Sequence, residues 1–175
     1  MNAFTIGLLA GLAAVLVIAV IVKLRAGPKG IAERAEYLSR RRARMLPALA
    51  IIYLTQQATY ITIRSGAAIR SVDQAKISAW LVLSAVLLAA MATKGFWLQP
   101  REVRSMIDDE ATRSYRTDAM RFGFIFAMLT CIVIYFITMF KIVDGRDAVH
   151  IVMSDGLGAA LIRWGWLERR AQRDG

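Results

Sequence analysis

The sequence has 175 residues, of which 57% are hydrophobic and 21% are charged, and its formal net charge is +10 at pH 7. An average soluble domain is about 45–50% apolar, so this excess, gathered in long uncharged runs, excludes a soluble globular enzyme and a disordered chain. A single cysteine, Cys131, excludes an internal disulfide, and a single histidine, His150, excludes a metal site built from several histidines. The composition indicates a membrane protein with several apolar segments.

Five apolar segments are long enough to cross a bilayer, since a hydrocarbon core about 30 Å thick needs about 20 apolar residues per helix. The first carries no basic residue before its apolar run, unlike a signal peptide. The second begins near Pro47, which suits the first turn of a helix. The third has Trp80 near one end and Trp97 near the other, as in interfacial aromatic belts. The predicted spans of one integral membrane domain, residues 1–175, are 4–24, 45–63, 77–98, 121–141 and 148–167.

The distribution of basic residues predicts the orientation of these spans. Lys and Arg accumulate in cytoplasmic loops; with five spans and the N-terminus outside, 18 of the 23 Lys and Arg residues are cytoplasmic and 5 are outside. A four-span arrangement without the last segment would place the C-terminal arginines outside, which fits the rule less well. We therefore predict an all-α, polytopic membrane helix bundle of five transmembrane helices, with the N-terminus outside and a cytoplasmic C-terminus.

A dense basic cluster precedes the second span and comprises Arg40, Arg41, Arg42 and Arg44. Juxtamembrane clusters of this kind attract anionic lipid headgroups by about 1 kcal/mol per basic residue. Nucleic-acid binding is the alternative, but the cluster lacks interleaved aromatic residues and any known motif. We expect contacts with the headgroups of the bilayer and no nucleic-acid partner.

Residues 101–117 have the pattern of an amphipathic helix that lies on the cytoplasmic face. Val103, Ile107 and Ala111 recur at four-residue spacing and form an apolar stripe. Thr117 or Asp118 has the side chain of a helix cap, so a break is expected between this helix and the fourth span.

Three consecutive acids, residues 108–110, suggest a divalent-cation site, because hard cations bind carboxylates. Adjacent positions on a helix point in different directions, however, and no second group of ligands accompanies them. The sequence therefore predicts no metal and no cofactor.

The second half of the chain carries two further stretches that belong together. The sequence REVR at 101–104 leads through DDEATR at 108–113 into a hydrophobic span, and LIRWGWLERR at 161–170 follows the last apolar segment. Over residues 97–171 this arrangement resembles small multi-span bacterial inner-membrane proteins of uncharacterised function. The resemblance implies a multi-pass location in a bacterial cytoplasmic (inner) membrane and an accessory or regulatory role, and it assigns no catalytic residue.

Polar residues inside the predicted spans are the candidate functional residues, because ionisable groups at membrane depth are costly. Asp155 lies near the middle of the last span, and Gln56, Thr59 and Tyr60 share one face of the second span. We expect the Asp155 carboxyl to form hydrogen bonds with this stripe inside the bundle. The structural interpretation is interhelical hydrogen bonding, and the functional one is a pathway for a proton or small solute.

Small residues predict where helices approach one another closely. Gly7 and Gly11 form a GxxxG motif on the first span, and Gly156 and Gly158 lie on the last. Glycines at such spacing let helix backbones come together, within one chain or between copies.

Three classes of function remain open. The preferred one is a non-catalytic accessory or regulatory subunit that makes protein–protein contacts in the membrane, as a homo-oligomer or in a larger complex. The first alternative is a small proton- or solute-conducting transporter unit centred on Asp155. The second is a membrane-embedded lipid-modifying enzyme, for which Arg163, Glu168 and residues 108–110 are the candidates. The sequence contains no Walker A, GxGxxG, GxSxG, HExxH or CxxC motif, so catalysis is not predicted.

Overall fold

The computed structural model describes residues 3–24, 30–64, 71–92 and 110–174. The described residues form helices and no strand, which confirms the predicted all-α class for this part of the chain. In chain order the helices are α1 (Ala3–Leu24), α2 (Ile31–Arg64), α3 (Ser71–Ala92), α4 (Glu110–Thr138) and α5 (Gly145–Asp174).

Among the described residues, one helix is long and apolar enough to cross a membrane, judged by length and composition. It is α4, and 6% of its most apolar stretch is buried, unlike the core helix of a soluble protein. A shorter apolar helical stretch is Lys76–Ala92. The five predicted spans are therefore not supported, because the other described helices do not combine the length and the hydropathy that a span requires.

The chain divides into two compact units. The first takes in Met1–Glu36 and Ala58–Ile107, and the second takes in Tyr37–Gln57 and Asp108–Gly175. The apolar helices α1 and α3 pack together in the first unit, and α4 and α5 pack together in the second.

In the first unit, α1 approaches α3 closely at a glycine. A Cβ atom on Gly11 would lie 3.3 Å from Cβ of Val82 and 3.5 Å from Cα of Ala79. Gly7, one turn earlier on α1, is also buried. Trp80, expected near one end of the third span, has a side chain that is only 4% exposed and lies in the core.

In the second unit, α4 and α5 form an antiparallel hairpin that crosses at two glycines. A Cβ atom on Gly123 would lie 2.6 Å from the carbonyl oxygen of Gly156 and 2.7 Å from Cβ of Ala160. A Cβ atom on Gly156 would lie 3.0 Å from Cβ of Ala127. Small residues on both helices therefore bring the two backbones into contact.

The turn of the hairpin ends at a helix cap. Asp144 precedes α5, and its Oδ1 accepts a hydrogen bond of 3.0 Å from the backbone N–H of Arg146. An aspartate in this position satisfies one of the donors that the first turn of a helix leaves without an intrahelical partner. The sequence thus specifies locally where α5 begins.

α4 runs without interruption from Glu110, so the predicted break before the fourth span is wrong. Thr117 does not cap a helix; its hydroxyl donates to the carbonyl oxygen of Arg113 at 2.9 Å, along the same helix. Thr112, Ala119 and Gly123 are all buried, because the polar first turns of α4 continue the packing face of its apolar part. Residues 101–109 of the predicted amphipathic helix lie outside the described residues.

α2 is also continuous, and Pro47 lies inside it rather than in its first turn. A proline has no N–H, so the carbonyl of the residue four positions earlier, Ala43, loses its helical donor. Arg169 of α5 supplies a donor instead, since its Nε lies 3.3 Å from the Ala43 oxygen. The proline ring fits against Gly165, where a Cβ atom would lie 2.9 Å from Cγ of Pro47. Helix α5 therefore provides both the hydrogen bond and the space that an internal proline requires.

Candidate functional site

Asp155, the predicted central residue, lies on α5 beside the glycine crossing. Its Oδ2 accepts a hydrogen bond of 3.1 Å from the hydroxyl of Thr130 on α4. The expected contact with Gln56 is not formed, because the Gln56 side chain is exposed. The side chains of Thr59 and Tyr60 lie outside the description. Asp155 is thus hydrogen-bonded within the α4–α5 hairpin, to a threonine that the sequence pattern did not single out.

Gln57, the next residue along the chain, is the glutamine that contacts α5. Oε1 of Gln57 accepts a hydrogen bond of 2.7 Å from the Ser154 hydroxyl, and both side chains are buried. One residue turns a helix by about 100°, so the change from Gln56 to Gln57 moves the polar contact to a different face of α2. The sequence shows both glutamines but contains no signal that fixes this rotation.

Gly158 lies one turn after Ser154 on the face of α5 that contacts α2. A Cβ atom at Gly158 would lie 2.7 Å from Cδ2 of Leu54 on α2. Gly156, by contrast, faces Ala127 on α4. The two glycines that were predicted to pack helices therefore face two different neighbours within the second unit.

A second polar cluster joins α2, α4 and α5, and we call it the Arg42 cluster: Arg42, Thr112, Trp164 and Glu168. Arg42 forms a salt bridge with Glu168, and the two side chains are 10% and 4% exposed. Nη2 of Arg42 also donates to the Thr112 hydroxyl at 3.2 Å. Trp164 donates from Nε1 to the same Glu168 oxygen at 2.9 Å, and its ring centroid lies 5.7 Å from the Arg42 guanidinium carbon.

The Arg42 cluster changes the interpretation of the basic residues before the second apolar segment. Arg42 was expected to contact lipid headgroups, but its side chain points inward to a buried glutamate, so that expectation is wrong for this residue. Arg40 and Arg44 are exposed and Arg41 is half-buried. Because these residues lie on a helix rather than in a loop, neighbouring arginines point in different directions.

A third group of residues lies on the surface near the start of the apolar part of α4. We call it the Trp166 patch: Asp118, Phe122, Arg163, Trp166 and Arg170. Nε of Arg163 donates to Oδ2 of Asp118 at 2.8 Å. The Arg163 guanidinium carbon lies 5.1 Å from the Trp166 ring centroid and 5.7 Å from that of Phe122. The Arg170 guanidinium carbon lies 5.6 Å from the centroid of the same Trp166 ring, so one indole has cation–π contacts with two arginines.

The candidates for a lipid-modifying centre do not converge. Arg163 pairs with Asp118, whereas Glu168 pairs with Arg42. Five residues along a helix correspond to about 140° around its axis, which places these two α5 residues on different faces. Glu110 is exposed, and residues 108 and 109 lie outside the description. Within the described ranges, no group of three His, Cys, Asp or Glu residues is positioned to hold a metal ion.

Comparison with known proteins adds no further assignment. The sequence matches no protein-family model, no curated protein and no solved structure. Any conclusion about function therefore depends on the contacts between the chain's own residues.

Proposed function

We propose that this chain is a multi-pass integral membrane protein of a bacterial cytoplasmic membrane that acts as a non-catalytic accessory or regulatory subunit. The observation that carries the proposal is the uncovered apolar surface of α4. Large side chains are exposed along its whole second half, among them Phe124, Ile132 and Phe136. Soluble monomers rarely expose an apolar patch above a few hundred Å² (about 300–600 Å² at most), so lipid or a membrane-embedded partner is the surrounding that suits this helix.

The polar residues of α5 support a second span that returns beside α4. Ser154 and Asp155 would be costly if they faced lipid, yet their side chains form hydrogen bonds with Gln57 and Thr130. The crossing of Gly123 and Gly156 is of the kind that lets membrane helices associate without large side chains between them. An antiparallel hairpin whose Ser154 and Asp155 side chains are hydrogen-bonded within the chain is compatible with both helices crossing the bilayer.

The pairing of the charged groups supports a non-catalytic role. Arg42 and Arg163 are each paired with a carboxylate, and Asp155 is hydrogen-bonded to a threonine within the packed hairpin. Such contacts favour the structural interpretation of Asp155 over a conducting pathway. What remains available to a partner in the membrane is the exposed apolar surface of α4, on which Cys131 also lies.

Single-cysteine labelling tests the proposed topology. In a Cys131→Ser background, new cysteines replace exposed residues: Glu36, Asp144 and Arg173. With five spans and an outside N-terminus, a membrane-impermeant maleimide labels position 144 in intact spheroplasts and labels positions 36 and 173 only after lysis. Labelling of position 173 in intact spheroplasts would show that the number of spans is wrong.

Membrane integration is tested by alkaline extraction of the wild-type chain and of an Ile132→Arg variant. An arginine near the centre of a span costs about 2.5–3.5 kcal/mol of insertion free energy, so the variant is expected to lose membrane-integrated protein. Gln172→Arg, at an exposed position near the end of α5, is the matched control and should integrate normally. Extraction of the wild-type chain by carbonate would contradict the proposal.

The accessory role is tested by cross-linking through the natural cysteine. Cys131 is exposed on α4, so a bifunctional maleimide applied to native membranes is expected to join it to another copy or to a distinct membrane protein. Cys131→Ser should abolish the product. A chain that yields no adduct in membranes and purifies as a lone monomer from mild detergent would overturn the accessory role.

A further inference from the structure

We infer that the Trp166 patch is a binding site for the phosphate of an anionic phospholipid headgroup. This inference rests on the proposed membrane location and identifies a chemical partner for a particular surface. The patch differs from the arginine cluster at residues 40–44 both in position and in composition, because it combines guanidinium groups with aromatic rings.

The position of the patch suits a headgroup. Phe122 belongs to the patch, and the next exposed residues of α4 are apolar, beginning with Phe124 and Ile125. Toward the start of α4, the neighbouring surface contains Asp118 and the exposed Arg121. The patch therefore lies where the polar and apolar surfaces of the hairpin meet, which is the depth at which tryptophans and lipid phosphates occur in a membrane.

The chemistry of the patch suits a phosphate. A guanidinium group has five N–H donors in a rigid fork that matches phosphate oxygens. Arg163 uses Nε to reach Asp118, and within the described part of the chain its contacts leave the two terminal nitrogens available. Trp166 is 49% exposed, and the guanidinium carbons of Arg163 and Arg170 lie 5.1 Å and 5.6 Å from its ring centroid. The exposed Arg121 beside the patch adds a further basic residue to this surface.

A phospholipid matches this surface better than an acidic protein or a nucleic acid does. The phosphate has the guanidinium groups beside the Trp166 ring, and the acyl chains have the exposed apolar surface that continues from Phe122 along α4. An acidic peptide or a nucleic acid would use the arginines but would leave that apolar surface uncovered. The adjoining polar and apolar surfaces therefore point to a ligand with both characters.

The test measures lipid binding to the full chain purified in a mild non-ionic detergent. Phosphatidylglycerol and phosphatidylcholine are titrated separately, and inorganic phosphate is titrated as a soluble anion. Binding is followed by native mass spectrometry and by the shift in the thermal unfolding midpoint. We expect phosphatidylglycerol to bind and to raise the midpoint, and we expect phosphatidylcholine and inorganic phosphate to have little effect.

Two variants and a matched control make the test specific. Each basic residue near a headgroup contributes about fivefold to affinity, so Arg163→Gln combined with Arg170→Gln should weaken phosphatidylglycerol binding by at least about tenfold. Asp118→Asn should strengthen binding, because it removes the carboxylate that competes for Arg163. Arg113→Gln combined with Arg146→Gln removes the same charge elsewhere and should bind lipid as the wild type does.

The opposite signs of these effects separate binding from stability. A purely structural Asp118–Arg163 pair would make both variants less stable and would leave the lipid response unchanged or lower. Equal binding of phosphatidylglycerol by the wild type and the Arg163→Gln, Arg170→Gln variant would overturn the lipid site. Equal responses to inorganic phosphate, or a preference for an acidic peptide or RNA over the lipid, would also overturn it. Alkaline extraction addresses the membrane location itself, so a chain that stays integrated but lacks this lipid response refutes the inference alone.

Discussion

The internal proline of α2 leads to a prediction about two distant residues. Pro47 leaves the carbonyl oxygen of Ala43 without its helical donor, and Arg169 donates to that oxygen at 3.3 Å. Replacing Arg169 by methionine keeps an unbranched side chain that is about as long as arginine up to Nε, but it removes the guanidinium donor. A hydrogen bond from a charged group contributes about 1.5–3 kcal/mol, and this one is at the long end of the usual range. Arg169→Met should therefore lower the free energy of unfolding by about 1.5 kcal/mol.

The same substitution should have little effect once residue 47 has an N–H. Pro47→Ala allows residue 47 to donate to Ala43 within the helix, so Arg169 is no longer needed there. By itself, Pro47→Ala recovers part of the roughly 3 kcal/mol that an internal proline costs, but it loses the contact of the proline ring with Gly165. Whether Pro47→Ala raises or lowers the free energy of unfolding does not decide the test. The informative quantity is the coupling free energy between positions 47 and 169, which we expect to be about 1 kcal/mol.

The assay is a double-mutant cycle, with unfolding by sodium dodecyl sulfate in mixed micelles followed by circular dichroism. Arg173→Met is the matched control, since Arg173 is an exposed arginine on the same helix. It should change the free energy of unfolding by less than about 0.5 kcal/mol. If Arg169→Met costs the same with proline and with alanine at position 47, the arginine does not replace the missing donor and this reasoning is refuted.

Three further substitutions test the packing of the second unit by the same unfolding measurement. Glu168→Ala removes the carboxylate that pairs with the buried side chain of Arg42 and should cost about 3–5 kcal/mol; a cost below about 1 kcal/mol would show that the salt bridge is solvated. Gly123→Ala places a Cβ atom 2.6 Å from a backbone oxygen and should cost about 1–3 kcal/mol, whereas Gly145→Ala, with nothing within 4 Å, should cost much less. Gln57→Leu removes the hydrogen-bond acceptor of the buried Ser154 and should lower the free energy of unfolding by about 1–3 kcal/mol. The control Gln56→Leu should change it by less than about 0.5 kcal/mol. Equal effects of the two substitutions would contradict the assigned face of α2.

Much of the helical organisation could be predicted from the sequence. The first apolar segment was expected at 4–24 and α1 is Ala3–Leu24, because a long apolar run without a proline favours one uninterrupted helix. The ends of α2 and α4 were less predictable. Pro47 and Thr117 are ordinary signals for a helix start, but both lie inside helices, since contacts with α5 and continued burial outweigh these local preferences.

The partners of the polar residues were decided by the tertiary structure alone. Arg42 belongs to a run of arginines that resembles a solvated surface, yet it pairs with a glutamate of α5. Gln57 and Ser154 are 97 positions apart, and Arg169 and Ala43 are 126 positions apart. The sequence by itself determined which segments are apolar, because transfer from water depends on each side chain and its near neighbours. It did not determine how each helix is rotated about its axis, because that rotation is set by the fit between residues that are distant along the chain.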